Sequence, residues 1–376
     1  MYRDHTIGVV VPAYNEEGHV ADVLDEVPEF VDRVFVVDDA STDDTWAEIN
    51  EYAKSVNPGE SAAEDEDEAT DGDESAEAVV ADGGATVADA STATTESGAA
   101  DTGPEIVPIR HETNQGAGGA LKTGYIRARD EGMEVTVTID ADGQMDPDIM
   151  DRFLDPIVSG EADYTKGNRF ANPDYREEMP EFRQVGNQIL TYLTRIASGY
   201  WRMADPQNGY TAISIEALWA IEIEEMYEYY GYCNDVLVKL NAKGMTVADV
   251  PMPAKYGDEE SSITYSEYIP KVSGMLLRNF FWRLKERYSP TDTTPLAYAT
   301  GTLFGLLALR SGGAALASFV GENDTADGAA ESASEGSVSD SNSAGSMLKR
   351  LFVGVFAVLA GMVLDRRANE DREAHQ

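Results

Sequence analysis

The chain has 376 residues, with 69 Asp and Glu against 28 Lys and Arg and a formal net charge of -41, and it is long enough to bury one large core or two smaller ones. A field of that sign repels nucleic acid, whose binding needs Lys and Arg to neutralise phosphates, so that partner class is excluded. The single cysteine, Cys233, excludes an internal disulfide, and no zinc-type Cys/His spacing is present.

The acidity is not confined to low-complexity segments. Pro58–Pro104 holds 14 acids and no Lys or Arg, and Gly321–Ser346 holds 6 acids and again no base. Without them 49 acids still face 28 bases. Such a surface suits molar salt, where self-repulsion is screened within a few ångströms, and points to a halophile's cytoplasm.

In chain order, Thr6–Val11 reads as a buried strand ended by Pro12, not as a signal peptide, and Glu16–Glu26 has helical spacing. Val34–Val37 is a second strand, followed by a helix capped by Ser41 or Thr42 and running towards Ser55. The segment 58–104 is too polar to fold and reads as a disordered acidic insertion. Then come a strand at Ile106–Ile109, a helix from about Gly116 to Glu131, and a strand at Glu134–Ile139. Strands alternating with helices predict an α/β fold, a mostly parallel doubly wound sheet with ligands beyond the carboxyl ends of its strands. The loops Pro12–Glu17, Asp38–Asp43 and Asp140–Asp146 then share one edge. Helical spacing recurs at Phe182–Tyr200, Ser214–Tyr227 and Asn234–Lys243.

Pro295–Val320 is apolar apart from Arg310, and Leu351–Leu364 is apolar throughout. The first is long enough for a membrane span; the second covers only roughly 21 Å of a ~30 Å hydrocarbon core unless Lys349 and Arg350 snorkel. A transmembrane hairpin of 295–320 and 347–364 is the preferred reading, with one span plus an interfacial helix as the alternative. Arg278, Arg283, Lys285 and Arg287 on one side, and Arg366 and Arg367 on the other, put both ends in the cytoplasm. The full division is 1–57 with 105–257 as catalytic domain, 258–292 as an amphipathic juxtamembrane collar, 321–346 as an acidic loop and 365–376 as a cytoplasmic tail.

The stretch TIDADGQMDPDIM, Thr138–Met150, sets four aspartates within nine positions. Asp146 before Pro147 and Asp148 is a helix-start pattern. Asp140 and Asp142 stand two apart at the mouth of a buried strand, where Mg²⁺ or Mn²⁺ would relieve their repulsion and hold a diphosphate, with Gln144 as a third oxygen.

Taken with VVVPAYNEE (9–17), VFVVDDASTDDT (34–45), NQGAGGALKTGY (114–125) and KGNRF (166–170), this stretch resembles the family 2 glycosyltransferases of the GT-A fold over about Thr6–Pro253. The resemblance implies a Rossmann-like sheet in which Pro12, Tyr14 and Glu16 lie along the donor's nucleoside and Val37 and Asp39 read its base. It further implies that Gly116, Gly118 and Gly119 let backbone pack against the nucleotide side, and that Asp140, Ala141, Asp142 and Gln144 form the metal and diphosphate group. The DADGQ form, Arg169, Arg183 and DPQNGY look most like dolichyl-phosphate sugar synthases, in which a polyprenyl phosphate attacks a nucleotide sugar. Such an acceptor is already ionised at neutral pH and needs positive charge, from Arg169 and Arg183, more than a base. Asp205 matches a position where some relatives place a catalytic aspartate; a turn-former before Pro206 is the other reading. One departure is that relatives carry Arg and Lys after the VPM-like strand, where this chain reads AKYGDEESSIT with Lys255 alone.

The implied reaction moves sugar from GDP-mannose, UDP-glucose or UDP-N-acetylglucosamine to dolichyl phosphate at the cytoplasmic face of the cell membrane. The rival readings are a transferase that extends a glycan, and a nucleotide-sugar-binding membrane protein without turnover.

Overall fold

The computed structural model describes residues 1–57, 103–171, 181–253, 265–289, 292–323 and 336–374. Nearly all of the expected acidic insertion, the loop with Lys255, and residues 324–335 lie outside them.

Short β-branched runs form the strands β1 (Ile7–Ala13), β2 (Arg33–Asp38), β3 (Glu105–Arg110), β4 (Val135–Thr138), β5 (Tyr164–Asn168), β6 (Thr211–Ser214), β7 (Val247–Pro251) and β8 (Glu373–Ala374). They pair in the order β3-β2-β1-β4-β6-β5-β7-β8. Only β6 runs antiparallel to its neighbours. The helices are α1 (Val20–Asp25), α2 (Thr45–Val56), α3 (Ala117–Asp130), α4 (Met150–Val158), α5 (Glu181–Ser198), α6 (Ile215–Ala220), α7 (Tyr232–Lys243), α8 (Tyr265–Arg287), α9 (Thr293–Asn323) and α10 (Gly336–Ala368).

Both faces of the sheet are buried, as a parallel sheet requires. Val9 and Val11 of β1 join Val34, Val36, Phe153 and Leu154 on one face. Val10 joins Phe35, Leu121, Tyr125, Ile213 and Leu237 on the other. A third cluster seats α8 on α5 and α7 through Val272, Met275, Leu276, Ala197 and Val238.

Several expectations change. β1 does not stop before Pro12 but continues to Ala13. Its pairing with β4 ends at Val10↔Thr138, so Pro12 is flanked by β2 alone, where a missing N–H is tolerated. Neither Ser41 nor Thr42 caps α2, which starts at Thr45 with Asp43 Oδ1 accepting from Thr45 N at 3.1 Å. The expected helix 214–227 breaks after Ala220 into a 3-10 turn at Ile223–Glu225, with Glu222 at φ 52.

At the C-terminal end α9 and α10 pack antiparallel through small residues. A Cβ on Gly301 would lie 2.5 Å from Val358 Cγ2, and one on Gly354 would lie 3.0 Å from Gly305 N. Among the described residues one helix is long and apolar enough to cross a membrane, the 24-residue Gly345–Ala368, whose most apolar 18-residue stretch has a mean hydropathy of 2.0. At ~1.5 Å per residue the helix covers about 36 Å, but it carries Lys349, Arg350, Asp365, Arg366 and Arg367, so its uninterrupted apolar run is still Leu351–Leu364. The expected first span runs into 312–323, whose side chains lie outside the described part.

Arg283 is not part of a lipid-facing collar. It is fully buried and forked onto Asp365, with Nη1 to Oδ1 at 3.0 Å and Nη2 to Oδ2 at 2.8 Å. Within 365–374, Asp365 and Asn369 are buried and Glu373–Ala374 extend the sheet beside β7. A buried guanidinium needs a fixed carboxylate, and Asp365 supplies it.

Candidate active site

The register brings the chemistry to one edge. Because β6 is antiparallel, Thr138↔Thr211 pairing sets the residues after β4 beside those before β6. Asp140 therefore faces Gly209, where a Cβ would lie 3.0 Å from Asp140 Oδ2 and 3.5 Å from Tyr232 OH. A side chain at that position would press on the carboxylate. β5 ends on the same edge and delivers Arg169.

Asp140 and Asp142 flank a turn whose Gly143 has φ 69, with Gln144 N donating to Asp142 Oδ1 at 2.9 Å. Burial, then the neighbouring Asp142 and Glu16 carboxylates, pushes the Asp140 carboxyl up to about 7, against a smaller opposing pull from Arg169 and Lys166. Burial also raises Asp142. Asp146 accepts from Asp148 N at 3.2 Å and starts the turn Pro147–Ile149, the structural role its sequence context indicates. Ala141 is buried between the two acids.

Among the described residues no group of three or more His, Cys, Asp or Glu is arranged to hold a metal. Two carboxylates that repel each other at a loop fit Mg²⁺ or Mn²⁺, which binds through one or two carboxylates and takes its remaining ligands from substrate phosphates and water. Gln144 is half-buried beside them.

The first two loops are tied to each other. Asn15 N donates to Ser41 Oγ at 3.0 Å, Thr42 N to Asn15 Oδ1 at 2.9 Å, and Glu16 N to Thr45 Oγ1 at 2.8 Å. Tyr14 is exposed, Pro12 and Glu16 are half-buried, and Val37 is wholly buried in the core.

Asp39 is 3% exposed and faces inward. Its Oδ1 meets His111 Nδ1 at 2.7 Å and accepts from Gln115 N at 2.8 Å, while Oδ2 accepts from Gly116 N at 2.8 Å. It thus fixes the glycine loop on β2. That loop's glycines pack closely against the segment before α7. A Cβ on Gly118 would lie 2.3 Å from Tyr227 O and one on Gly116 2.8 Å from Glu228 O, so the segment 227–229 occupies that space.

Arg169 and Asp205 form a two-pronged pair, Nε to Oδ2 at 2.7 Å and Nη2 to Oδ1 at 3.1 Å. Asp205 is fully buried; its backbone O accepts from Asn208 N at 3.3 Å across Pro206, so it starts a turn there while its carboxylate is held by Arg169. Arg183 falls on α5, but its side chain lies outside the described part of the structure.

Sequence reasoning passed over His111, Lys166 and Gly209. Lys166 is fully buried, with Nζ donating to Asn208 O beneath the site. The only signal for it was a charge inside a β-strand pattern.

The family model described as glycosyl transferase family 2 matches residues 8–61 and 74–222. A UDP-N-acetylglucosamine–dolichyl-phosphate N-acetylglucosaminyltransferase of Methanococcus voltae is 27% identical over 254 residues, covering 67% of this chain and 87% of the relative. An undecaprenyl-phosphate mannosyltransferase of Micrococcus luteus is 25% identical over 250 residues, 65% of this chain and 81% of the relative. Among solved structures, glucosyl-3-phosphoglycerate synthase of Mycobacterium tuberculosis, crystallised with Mn²⁺, UDP-glucose and phosphoglyceric acid, has a TM-score of 0.45 at 18% identity, covering 74% of this chain and 80% of that one. The family match takes in more than half of the chain, including Asp140, Asp142, Arg169 and Asp205, so the protein is a glycosyltransferase of family 2.

Proposed function

We propose that the enzyme transfers a sugar, with inversion, from a nucleoside diphosphate to a dolichyl-type lipid phosphate at the cytoplasmic membrane face, in a salt-rich cytoplasm that suits its acidic surface. The observation that carries this reading is the Asp140–Asp142 pair at the strand-tip edge, where burial and carboxylate repulsion outweigh the pull of Arg169 and Lys166, in a chain that also holds a helix apolar enough to cross a membrane.

In this reading Pro12, Tyr14 and Glu16 line the nucleoside, and Asp39 shapes the loop that bounds its base. Asp140, Asp142 and Gln144 hold Mg²⁺ or Mn²⁺, which supplies positive charge for the departing diphosphate. Arg169 and Arg183 hold the acceptor phosphate, and the hairpin keeps the protein at the bilayer where that lipid resides. The locked state of Asp205 favours a lipid phosphate over a glycan hydroxyl. A hydroxyl needs a carboxylate to take its proton, whereas a phosphate monoester is ionised without one. The Methanococcus relative's name favours UDP-N-acetylglucosamine among the donors, ahead of UDP-glucose and GDP-mannose.

The test is formation of lipid-phosphate sugar by the purified chain with each donor, with and without Mn²⁺. Asp142→Asn should lower the rate roughly a hundred- to a thousandfold while leaving the fold intact. Full turnover in EDTA would remove the metal role. Transfer to a glycan with lipid phosphate inert would replace the acceptor.

A further inference from the structure

The strip Trp201–Ala204 leads directly into Asp205, and its four backbone N–H groups all donate to carboxylates far away in the sequence. Trp201 N donates to Glu373 Oε2 at 3.1 Å, and Arg202 N and Met203 N both donate to Glu373 Oε1, the latter at 2.9 Å. Ala204 N donates to Asp249 Oδ2 at 2.9 Å. Successive N–H groups turned to one side make a concave positive patch, which a carboxylate fills better than water because it accepts several donors at once.

Both acceptors belong to one two-stranded unit. Asp249 lies on β7, and Glu373 is paired with Val247 two residues earlier on that strand. Glu373 is 8% exposed, so its carboxylate has left water for these three donors. The strip has a further tie, Arg195 Nε to Met203 O at 2.7 Å. Beyond Ala204 the next side chain is Asp205, which accepts the Arg169 fork.

We propose that Glu373, on the last strand of the chain, is a positioning residue for the Arg169–Asp205 pair: it fixes the strip 201–204 and thereby where that pair stands at the transfer edge. The consequence for catalysis rests on the sugar-transfer reading above; the geometric claim does not. β8 follows α10 after only the short turn Glu370–Arg372, so the element that sets the strip is held close to the end of the apolar helix. Seating of the hairpin and placement of Asp205 are thus coupled through a few residues.

The experiment compares full-length wild type, Glu373→Ala, Glu373→Gln and Glu370→Ala in lipid nanodiscs. Glu370 pairs with the Arg202 side chain at 2.7 Å and leaves the backbone strip untouched, which makes it the control. Three quantities are read: amide hydrogen exchange of peptides spanning 201–205 and 168–170, kcat and KM for transfer to dolichyl phosphate, and Mn²⁺-dependent binding of the nucleoside diphosphate.

In Glu373→Ala, exchange at 201–205 and 168–170 should accelerate while β1 and β2 stay protected. Its kcat should fall by about tenfold to a hundredfold, the scale of a misplaced group at a transfer site, with nucleotide affinity within about twofold of wild type. Glu373→Gln keeps one carbonyl oxygen for Arg202 N and Met203 N and should be intermediate; Glu370→Ala should match wild type. If Glu373→Ala does not fold, Glu373→Gln carries the comparison.

Unchanged exchange at 201–205 in the variants would overturn the proposal, and so would a loss shared equally by nucleotide binding, kcat and protection across the whole sheet. If wild type transfers nothing to lipid phosphate, the sugar-transfer reading fails, and the exchange data still decide the role of Glu373.

Discussion

Asp140 is a case of an acid held against its own charge. Its folded carboxyl, pushed up to about 7 by burial and by Asp142 and Glu16, lies well above the unfolded value of 3.8. Between those values the folded protein binds the extra proton, so stability is greatest at low pH and falls as pH rises from about 4 to about 7. At neutral pH the ionised group weakens the metal-free fold by on the order of 1–3 kcal/mol, a penalty that a bound cation removes. In EDTA, Asp140→Asn should therefore melt at a higher temperature than wild type at pH 7.5 and at nearly the same temperature at pH 4.5. Asp249, also pushed up to about 7 by burial and by Asp205, is present in both proteins and cancels in the comparison. Melting curves at several pH values check this; parallel curves would mean that Asp140 is solvated and carries no such charge penalty.

Among the elements, α10 is attached to the sheet domain by a buried ion pair, and such a pair is costly to break from one side. Asp365→Asn leaves the Arg283 guanidinium in a site with no exposure and should destabilise the protein by about 3–5 kcal/mol, more than Arg366→Ala on the exposed neighbouring position. Chemical denaturation in detergent measures the difference, and equal effects would show that Arg283 finds another partner. This contact was hidden in the sequence, where Arg283 beside Phe280, Phe281 and Trp282 has the composition of an interfacial belt. Composition gives a residue's company along the chain, not the helix 82 positions away that accepts its charge. The strand tips were legible for the opposite reason. Val9, Val34 and Val135 stand in short runs of β-branched and aromatic residues, and the loops after them carry the motifs, so local pattern and global position agree. The inward turn of Asp39 was not legible, because it depends on His111 and Gly116, two residues brought to β2 by β3 and α3. Nor was β8: two residues of ANEDREAHQ become a strand only because β7 offers an open edge.

Across the whole molecule, the two ends of the apolar pair are held on the same side. α9 begins beside α8, where Phe280 and Tyr298 meet edge to face at 5.0 Å, and α10 ends in Asp365, Asn369 and β8, all joined to the sheet domain. The helices are antiparallel, so the end of α9 and the start of α10 lie together, remote from the site. If α10 crosses the bilayer, α9 must cross it as well, since a single crossing would drag β8 away from β7. In the proposed arrangement Arg366 and Arg367, exposed at the near end, are the cations that the positive-inside rule puts on the cytoplasmic side; at the far end Arg350 Nη1 donates to Ser311 Oγ at 2.6 Å, which lowers the cost of a charge there. The native Cys233 is buried and stays silent to a membrane-impermeant maleimide. In intact cells Ser332→Cys should therefore react with that reagent, whereas Asp371→Cys should react only after the membrane is opened. Protection of Ser332→Cys until lysis would place the pair flat on the cytoplasmic surface, with the same contacts to the sheet domain but no span.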